Sequence, residues 1–263
     1  AEFDDSGDTP KLTVTSSTQS PHSVRDSLAE MFHLPSSRVR VIVPPLGGGY
    51  GAKTYIKLEP VTAALAWKAG CPVKLVLPRD EEFVTLTKHA ARVRLRTGVT
   101  ADGRLVAREV RVDFDAGAYA DISPRTVKNC GYSCVGPYEI PNVRVDAYAI
   151  YTNHPPAGAY RGYGVSQAAW AYEQQMDEMA DALGLDPVEF RLRNLLTKDA
   201  RFATGERMRD AHWAELLRRS AKAIDFPRGR RTVVDEHRVR GKGVAVILKS
   251  TITPSSTHAA LRL

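Results

Sequence analysis

Cysteine is scarce in this sequence, and its three copies show no spacing that is typical of a metal site. Cys130 and Cys134 lie four residues apart without a second pair or a histidine pattern, and Cys71 stands alone. The seven histidines also lack zinc-binding spacing. We therefore interpret the cysteines as small buried residues and predict no metal bound directly by protein side chains.

Long apolar runs are absent as well. No stretch approaches the ~18 residues needed to span a bilayer, and the first residues have neither the basic nor the apolar region of a secretory signal. We therefore predict no membrane partner and a cytoplasmic location. The 263 residues, 43% of them hydrophobic and 25% charged, are typical of a globular protein with a substantial core.

Acidic residues are scarce only towards the carboxyl end. From residue 190 onward the chain has 17 Lys and Arg against 7 Asp and Glu, whereas the earlier part has 20 against 23. The basic stretch 218–231 lacks the interleaved aromatic residues that stack on bases, so we predict no nucleic-acid partner. We interpret it as solvated helix faces or a surface for an acidic partner. A basic interaction module without catalytic activity is kept as an alternative.

Hydrophobic periodicity predicts an α+β fold with mixed parallel and antiparallel sheets and packed helices. Strands are predicted at 11–17 and 38–43, on either side of a helix that begins at Pro21. Asp102-Gly103 predicts the turn of a hairpin, and Asp186 begins a capping box. The other predicted segments are a hairpin over 91–114, a short buried strand at 72–77, a strand at 243–248, helices at 59–69, 165–183 and 211–223, and a loop-rich region at 117–156.

Small residues are concentrated at 47–53, directly after the predicted strand 38–43. Such a backbone can approach a flat or anionic ligand closely and present N–H donors to it. The segment from Gly47 to Thr54 matches the P-loop pattern except at one position. It ends in Lys53-Thr54 as a P-loop does, but Ala52 replaces the glycine before the lysine. A P-loop nucleotide hydrolase is therefore an alternative. Against it, no uninterrupted apolar run ending in a magnesium-binding Asp follows.

A second loop of small residues, 157–164, leads directly into the predicted helix at 165. Helix N-termini attract anions, and the Arg161 guanidinium can bind phosphate or oxo groups. Tyr163 offers a flat face to an aromatic substrate. We interpret this loop as a second candidate binding segment.

Segments 16–19, 47–53 and 159–164, in this order, resemble the signature of the molybdenum hydroxylases, the xanthine dehydrogenase and aldehyde oxidase family. The resemblance covers nearly the whole chain. Further similar segments are 73–82, 115–119, 138–143 and 186–196. The resemblance implies that the fold is the first part of a molybdenum cofactor-binding domain.

The resemblance also implies molybdopterin as the cofactor, with its cytosine dinucleotide form left open, and a molybdenum atom without a direct protein ligand. Gln19 matches the glutamine that hydrogen-bonds the apical oxo ligand, and Gly48, Gly49, Tyr50 and Arg161 match positions that line the metal and pterin. The implied activity is oxidative hydroxylation of an aldehyde or N-heterocycle with oxygen from water. Electrons would leave through 2Fe-2S centres and FAD in partner domains or subunits.

Two positions depart from the purine-oxidising members of that family. Thr54 stands where they place a glutamate, and Asn129 where they place an arginine, while Tyr163 keeps the aromatic residue that contacts the substrate ring. We therefore expect a substrate pocket that takes a small-molecule aldehyde or a heterocycle other than a purine.

The resembled family's general-base glutamate and second glycine-rich loop have no match in this sequence. The chain also begins without Met, and an apolar strand is predicted to begin at 259–263. We expect a fragment that is inactive alone and needs the second half of the molybdopterin-binding domain as a partner. Residues 1–196 would form the first subdomain, and 197–263 a basic helical connection and the start of the second.

Overall fold

The computed structural model describes residues 1–249 as a mixed α/β fold. Contacts group the chain into two units. The first comprises Ala1–Ala90, Asp115–Pro124 and Ile150–Arg161, and the second comprises Ala91–Phe114, Arg125–Ala149 and the chain from Gly162 onward.

The helices and strands alternate irregularly along the chain, and a short 3₁₀ helix, Ser36–Arg38, precedes the third strand. The strands are β1 (Glu2–Asp4), β2 (Lys11–Thr15), β3 (Val39–Ile42), β4 (Thr87–Lys88), β5 (Ala91–Val99), β6 (Leu105–Gly117), β7 (Asn142–Tyr151), β8 (Ala157–Gly158), β9 (Arg231–Asp235) and β10 (Arg238–Gly241). The helices are α1 (Pro21–Met31), α2 (Glu59–Ala69), α3 (Arg79–Thr85), α4 (Ser123–Ser133), α5 (Val165–Leu183), α6 (Pro187–Asn194) and α7 (Trp213–Ala223).

In the first unit, β1, β2 and β3 form a three-stranded sheet in that order. β1 is antiparallel to β2, and β2 is parallel to β3, because α1 provides the crossover between them. Leu12 and Val14 of β2 and Val24 and Leu28 of α1 are buried together in one core cluster. The alternating and helical spacings of these residues thus confirm the predicted strand–helix–strand order.

In the second unit, β5, β6 and β7 form another three-stranded sheet in that order. β5 and β6 pair antiparallel across the predicted Asp102-Gly103 turn, which confirms the hairpin. The buried stripe of α5, which includes Tyr172 and Met176, contributes to the core of this unit. Asp186 caps α6, as its side chain accepts hydrogen bonds from the N–H groups of Val188 and Glu189. The mixture of parallel and antiparallel strands confirms the predicted fold class.

Several predictions of local structure were wrong. Residues 72–77 form no assigned strand and are not buried, although Ala1 and Val73 exchange two main-chain hydrogen bonds. Residues 243–248 are also outside any assigned strand, and the loop-rich region 117–156 contains α4 and β7. Cys71 is exposed, whereas Cys130 and Cys134 are buried as predicted. The two wrongly predicted strands share one cause, because a short apolar run forms a strand only where a neighbouring strand pairs with it.

The predicted strand at 259–263 lies outside the described residues. The predicted subdomain boundary at residue 196 stays a prediction. None of the helices within residues 1–249 is long and apolar enough to cross a membrane.

Candidate cofactor site

The loop over residues 47–53 follows β3 and has an unusual backbone. The φ angles of Gly47, Tyr50 and Gly51 are 73°, 50° and 96°. These values lie in the left-handed region of backbone conformation. Glycine adopts this region easily, whereas tyrosine does so only at a cost in free energy. Tyr50 is 63% exposed, so neither core packing nor burial accounts for its strained position. Backbone strain of this kind is often found at binding sites.

The side chain of Gln19 lies against this loop. Its Oε1 accepts a hydrogen bond from the Gly51 N–H at 3.1 Å, and its own main-chain N–H donates to the Lys53 carbonyl at 2.7 Å. A Cβ added to Gly49 would lie 2.4 Å from Gln19 Oε1, which is shorter than any real contact. The absence of a side chain at Gly49 therefore allows the Gln19 amide to bind the loop. The bond to Gly51 also orients the amide group, whose NH₂ end can donate to a ligand.

Lys53 does not have the arrangement of a P-loop lysine. Its Nζ donates to Ser17 Oγ at 2.9 Å and to the Leu46 carbonyl at 3.4 Å. A P-loop lysine stands at the start of a helix whose N–H groups bind phosphate. Here the next helix, α2, begins only at Glu59. The loop therefore differs from a nucleotide-binding P-loop in both its lysine contacts and its following helix.

The two loops that the sequence singled out meet within the first unit. A Cβ at Gly51 would lie 3.0 Å from the carbonyl carbon and oxygen of Ala159, so the two backbones are in close contact there. Arg161, which is exposed, follows Ala159 by two residues. The structure thus brings the loop 47–53, Gln19 and the segment leading to Arg161 together.

Asp115 fixes the chain that leads to this second loop. Its Oδ1 accepts hydrogen bonds from Thr152 Oγ1 at 2.5 Å and the Gly117 N–H at 2.9 Å, and its Oδ2 pairs with His154 Nδ1. The hydrogen bonds from Thr152 and His154 lower the pKa of Asp115 to about 2. A Cβ at Gly117 would lie 2.2 Å from the Pro155 carbonyl oxygen. Sequence reasoning gave Asp115 no such role, although the resembled segment 115–119 contains it.

Lys57 is a second residue whose role the sequence did not indicate. Its Nζ donates to the Ala52 carbonyl of the glycine loop. Its main-chain N–H donates to Glu59 Oε2 at 2.8 Å, and Glu59 Oε1 accepts from Ser16 Oγ at 2.6 Å. Burial lowers the pKa of Lys57 below its usual range, and Asp121 and Glu59 oppose this effect. Lys57 and Glu59 therefore connect the glycine loop to the segment that ends at Gln19.

We expect His89 to make the stability of the protein dependent on pH. Its Nε2 lies 2.8 Å from Ser123 Oγ, and both side chains are buried. Burial lowers the pKa of His89, and the charge of Asp115 partly opposes this. The unfolded chain then binds the proton more readily than the folded chain does. The contribution of His89 to the free energy of unfolding is therefore fully present above about pH 6.5 and is lost as the pH falls through that value. We expect the thermal unfolding midpoint of the protein to decrease as the pH is lowered from about 7 to about 5.

The variant His89→Gln is expected to flatten this pH dependence, whatever its effect on the midpoint at pH 7. His237→Gln is the matched control, because His237 is exposed. Thermal melts of the three proteins at several pH values test this. An equal slope in His89→Gln and in the native protein would contradict the assignment.

Two of the three predicted pocket residues contact each other within the second unit. Asn129 Nδ2 donates to the carbonyl oxygens of Gly162 at 3.1 Å and Tyr163 at 2.5 Å. Tyr163 has a φ of 50° and is half-buried. Thr54 belongs to the first unit, where its N–H donates to the Gly51 carbonyl at 3.1 Å. Within residues 1–249, no group of three or more His, Cys, Asp or Glu side chains is placed to hold a metal ion.

A family model described as "Molybdopterin cofactor-binding domain" matches residues 1–195. The large molybdopterin subunit of nicotinate dehydrogenase from Eubacterium barkeri is 43% identical over 196 residues, which are 74% of this chain and 46% of that protein. A putative xanthine dehydrogenase molybdenum-binding subunit from Escherichia coli is 38% identical over 242 residues, 91% of this chain and 32% of that protein. This chain therefore spans less than half the length of either relative.

Solved structures show the same similarity. Quinoline 2-oxidoreductase from Pseudomonas putida superposes with a TM-score of 0.78 at 29% identity, over 84% of this chain and 29% of that one. Aldehyde oxidoreductase from Desulfovibrio gigas superposes with a TM-score of 0.79 at 25% identity, over 86% of this chain and 26% of that one. The similarity therefore extends to both sequence and fold.

Proposed function

Because this chain belongs to the molybdopterin cofactor-binding domain family, and its relatives are molybdenum-containing oxidoreductases, we propose that it forms one wall of a molybdenum hydroxylase site. The parent enzyme would hydroxylate an aldehyde or N-heterocycle with oxygen from water. The observation that carries this proposal is the Gln19 amide held on the glycine loop by the Gly51 N–H. Its NH₂ group is a suitable donor to an oxo ligand.

The residues of the first unit fit a flat cofactor with a polar edge. Gly48 and Gly49 present main chain without side-chain bulk, and Tyr50 is exposed beside them. Arg161 carries a charge suited to an anionic group. We propose that these residues and Gln19 bind the pterin and orient it. When bound, the cofactor supplies the metal centre that accepts two electrons from the substrate.

We propose a heterocycle other than a purine as the more suitable substrate. Thr54 and Asn129 are uncharged, and the Asn129 amide is already bonded to the main chain of Gly162 and Tyr163. The Tyr163 ring would pack against the substrate ring. The names of two similar proteins, nicotinate dehydrogenase and quinoline 2-oxidoreductase, support this choice, because nicotinate and quinoline are both N-heterocycles.

The remaining parts of the enzyme are proposed from the family. The general-base glutamate would lie in the second half of the domain, so this chain alone would be inactive. Electrons would pass to 2Fe-2S and FAD groups in partner domains or subunits, and the cofactor would be molybdopterin or its cytosine dinucleotide. We propose a cytoplasmic location for the complete enzyme.

Metal analysis of the full-length native protein tests the function. We expect about one molybdenum and one pterin per chain, and hydroxylase activity that Gln19→Ala and Tyr50→Ala reduce at least tenfold. Tyr151→Ala is the control for Tyr50→Ala, because Tyr151 is similarly exposed, at 68%. Magnesium-dependent ATP hydrolysis lost in Lys53→Ala would favour the P-loop alternative instead. Salt-sensitive DNA binding without any molybdenum would favour the basic module.

A further inference from the structure

Residues 73–77 follow α2 and meet the first unit's sheet at an edge. Ala1 and Val73 exchange two main-chain hydrogen bonds, with N···O distances of 2.8 and 3.0 Å. Such an exchange is the hydrogen-bonded pair of an antiparallel ladder. β1 is the edge strand of its sheet, since β2 is its one partner among the described strands. The contact at Val73 is therefore the first step of a ladder along the line of β1.

This ladder does not continue along residues 74–77. No main-chain hydrogen bond joins these four residues to another part of the chain within residues 1–249. Their side chains nonetheless alternate as they do in a strand with one covered face. The half-buried side chains are those of Val73, Leu75 and Leu77, and the exposed ones are those of Lys74 and Val76. The segment has the side-chain pattern of a strand without a main-chain partner.

An edge of this composition favours a further strand over water. Four of the five residues 73–77 are aliphatic, and Val76 is 69% exposed. Extended aliphatic edges present unpaired N–H and C=O groups together with apolar side chains, so they readily pair with other strands, and folded proteins cover them or interrupt them. Lys74 is the one charge in the segment.

The register shows which side of the segment is open to such a strand. In an antiparallel ladder, the main-chain groups of alternate residues point to the same side. The N–H and C=O groups of Leu75 and Leu77 therefore point to the side on which Val73 meets Ala1. Those of the residues between them point the opposite way. A strand that prolongs the line of β1 past Ala1 would lie against Leu75 and Leu77.

We propose that a strand of the full-length protein, from outside residues 1–263, pairs antiparallel with 73–77 in line with β1. Its apolar side chains would lie on the face shared by Val73, Leu75 and Leu77, because cross-strand neighbours contact each other. The matched regions are only 46% and 32% of two relatives, which supports a source within the same polypeptide. The added strand would support the sheet whose strand β2 leads to Gln19. This inference concerns assembly and does not depend on the proposed function.

Residue-resolved amide hydrogen exchange in the full-length protein tests the proposal. The amides of Leu75 and Leu77 are expected to exchange roughly 100-fold more slowly than those of Lys74 and Val76. The reverse order is the result for an occupant on the outer side of the segment. That order would overturn the proposal, and so would equal exchange at all four residues.

Proline removes one main-chain donor and so tests each side of the segment separately. Leu75→Pro is expected to speed exchange at Leu77 about tenfold or more relative to Leu75→Ala, which shortens the same side chain but keeps the N–H. Val76→Pro removes an N–H on the outer side, so exchange at Leu77 should stay within about threefold of that in Val76→Ala. Equal effects of the two prolines would contradict the assigned side.

Photo-cross-linking identifies the occupant. The variant Val76→p-benzoylphenylalanine carries a photoreactive group that can reach the side chain opposite it on a neighbouring strand. Full-length protein prepared from mixed unlabelled and ¹⁵N-labelled chains should give adducts within one isotopic form only, joining position 76 to a residue outside 1–263. Adducts between the two isotopic forms would identify a second copy of the chain. Those adducts, or adducts confined to residues 1–263, would overturn the proposal.

Discussion

Replacing Gly49 with alanine is expected to reduce hydroxylase activity of the full-length enzyme about 10- to 100-fold with little effect on stability. The new methyl group would lie 2.4 Å from Gln19 Oε1 and 2.5 Å from Gln19 Cδ, so one group must move. Gln19 is exposed and flexible, and its side chain can turn away at small cost. The amide then loses its bond to the Gly51 N–H and its orientation towards the cofactor. Activity, molybdenum content and thermal midpoint are measured together.

Two further variants make this prediction specific. Gly7→Ala is the matched control, because a Cβ at Gly7 meets nothing within 4 Å. Adding Gly49→Ala to Gln19→Ala should have little additional effect, since the group that the methyl would displace is already absent. Full additivity of the two substitutions would show that Gly49 acts independently of Gln19.

Replacing the buried Arg191 with methionine is expected to destabilise the protein by about 3–5 kcal/mol. Arg191 donates from Nε to Glu173 Oε2 at 2.8 Å and from Nη1 to Asp177 Oδ1 at 2.7 Å. Its side chain is 0% exposed and that of Glu173 is 7% exposed. Loss of the guanidinium leaves the Glu173 carboxylate buried without its cation, whereas methionine preserves much of the volume. Denaturant unfolding of the two proteins gives the difference in free energy.

Arg219→Met is the matched control for Arg191→Met. Arg219 pairs with Glu215 at 3.3 Å on an exposed helix face, with 76% of its side chain accessible. Such surface pairs contribute at most about 0.5 kcal/mol. Combining Arg191→Met with Glu173→Gln should recover part of the lost stability, because the unpaired charge is then removed as well. A loss below about 1 kcal/mol for Arg191→Met would contradict the central role of this ion pair.

Part of the fold could be predicted because its signals are local. The spacing of Val24 and Leu28 indicated α1, and Asp102-Gly103 indicated the hairpin turn, because each depends on residues close in sequence. The strand predicted at 72–77 was wrong for the opposite reason. An extended segment becomes a strand only when another strand pairs along its length, and apolar residues do not reveal whether such a partner exists.

The sequence by itself determined the family, the mixed fold and the candidate residues at the glycine loop, because these follow from residue type, order and spacing. The tertiary structure decided which of these residues meet. The Gln19 amide binds a loop residue 32 positions away, and Asn129 binds the carbonyl of a residue 34 positions away. Asp115 was given a role only by contacts of this kind, with Thr152 and His154. Local patterns carry no information about such pairs, because they form only when the packed core brings distant segments together.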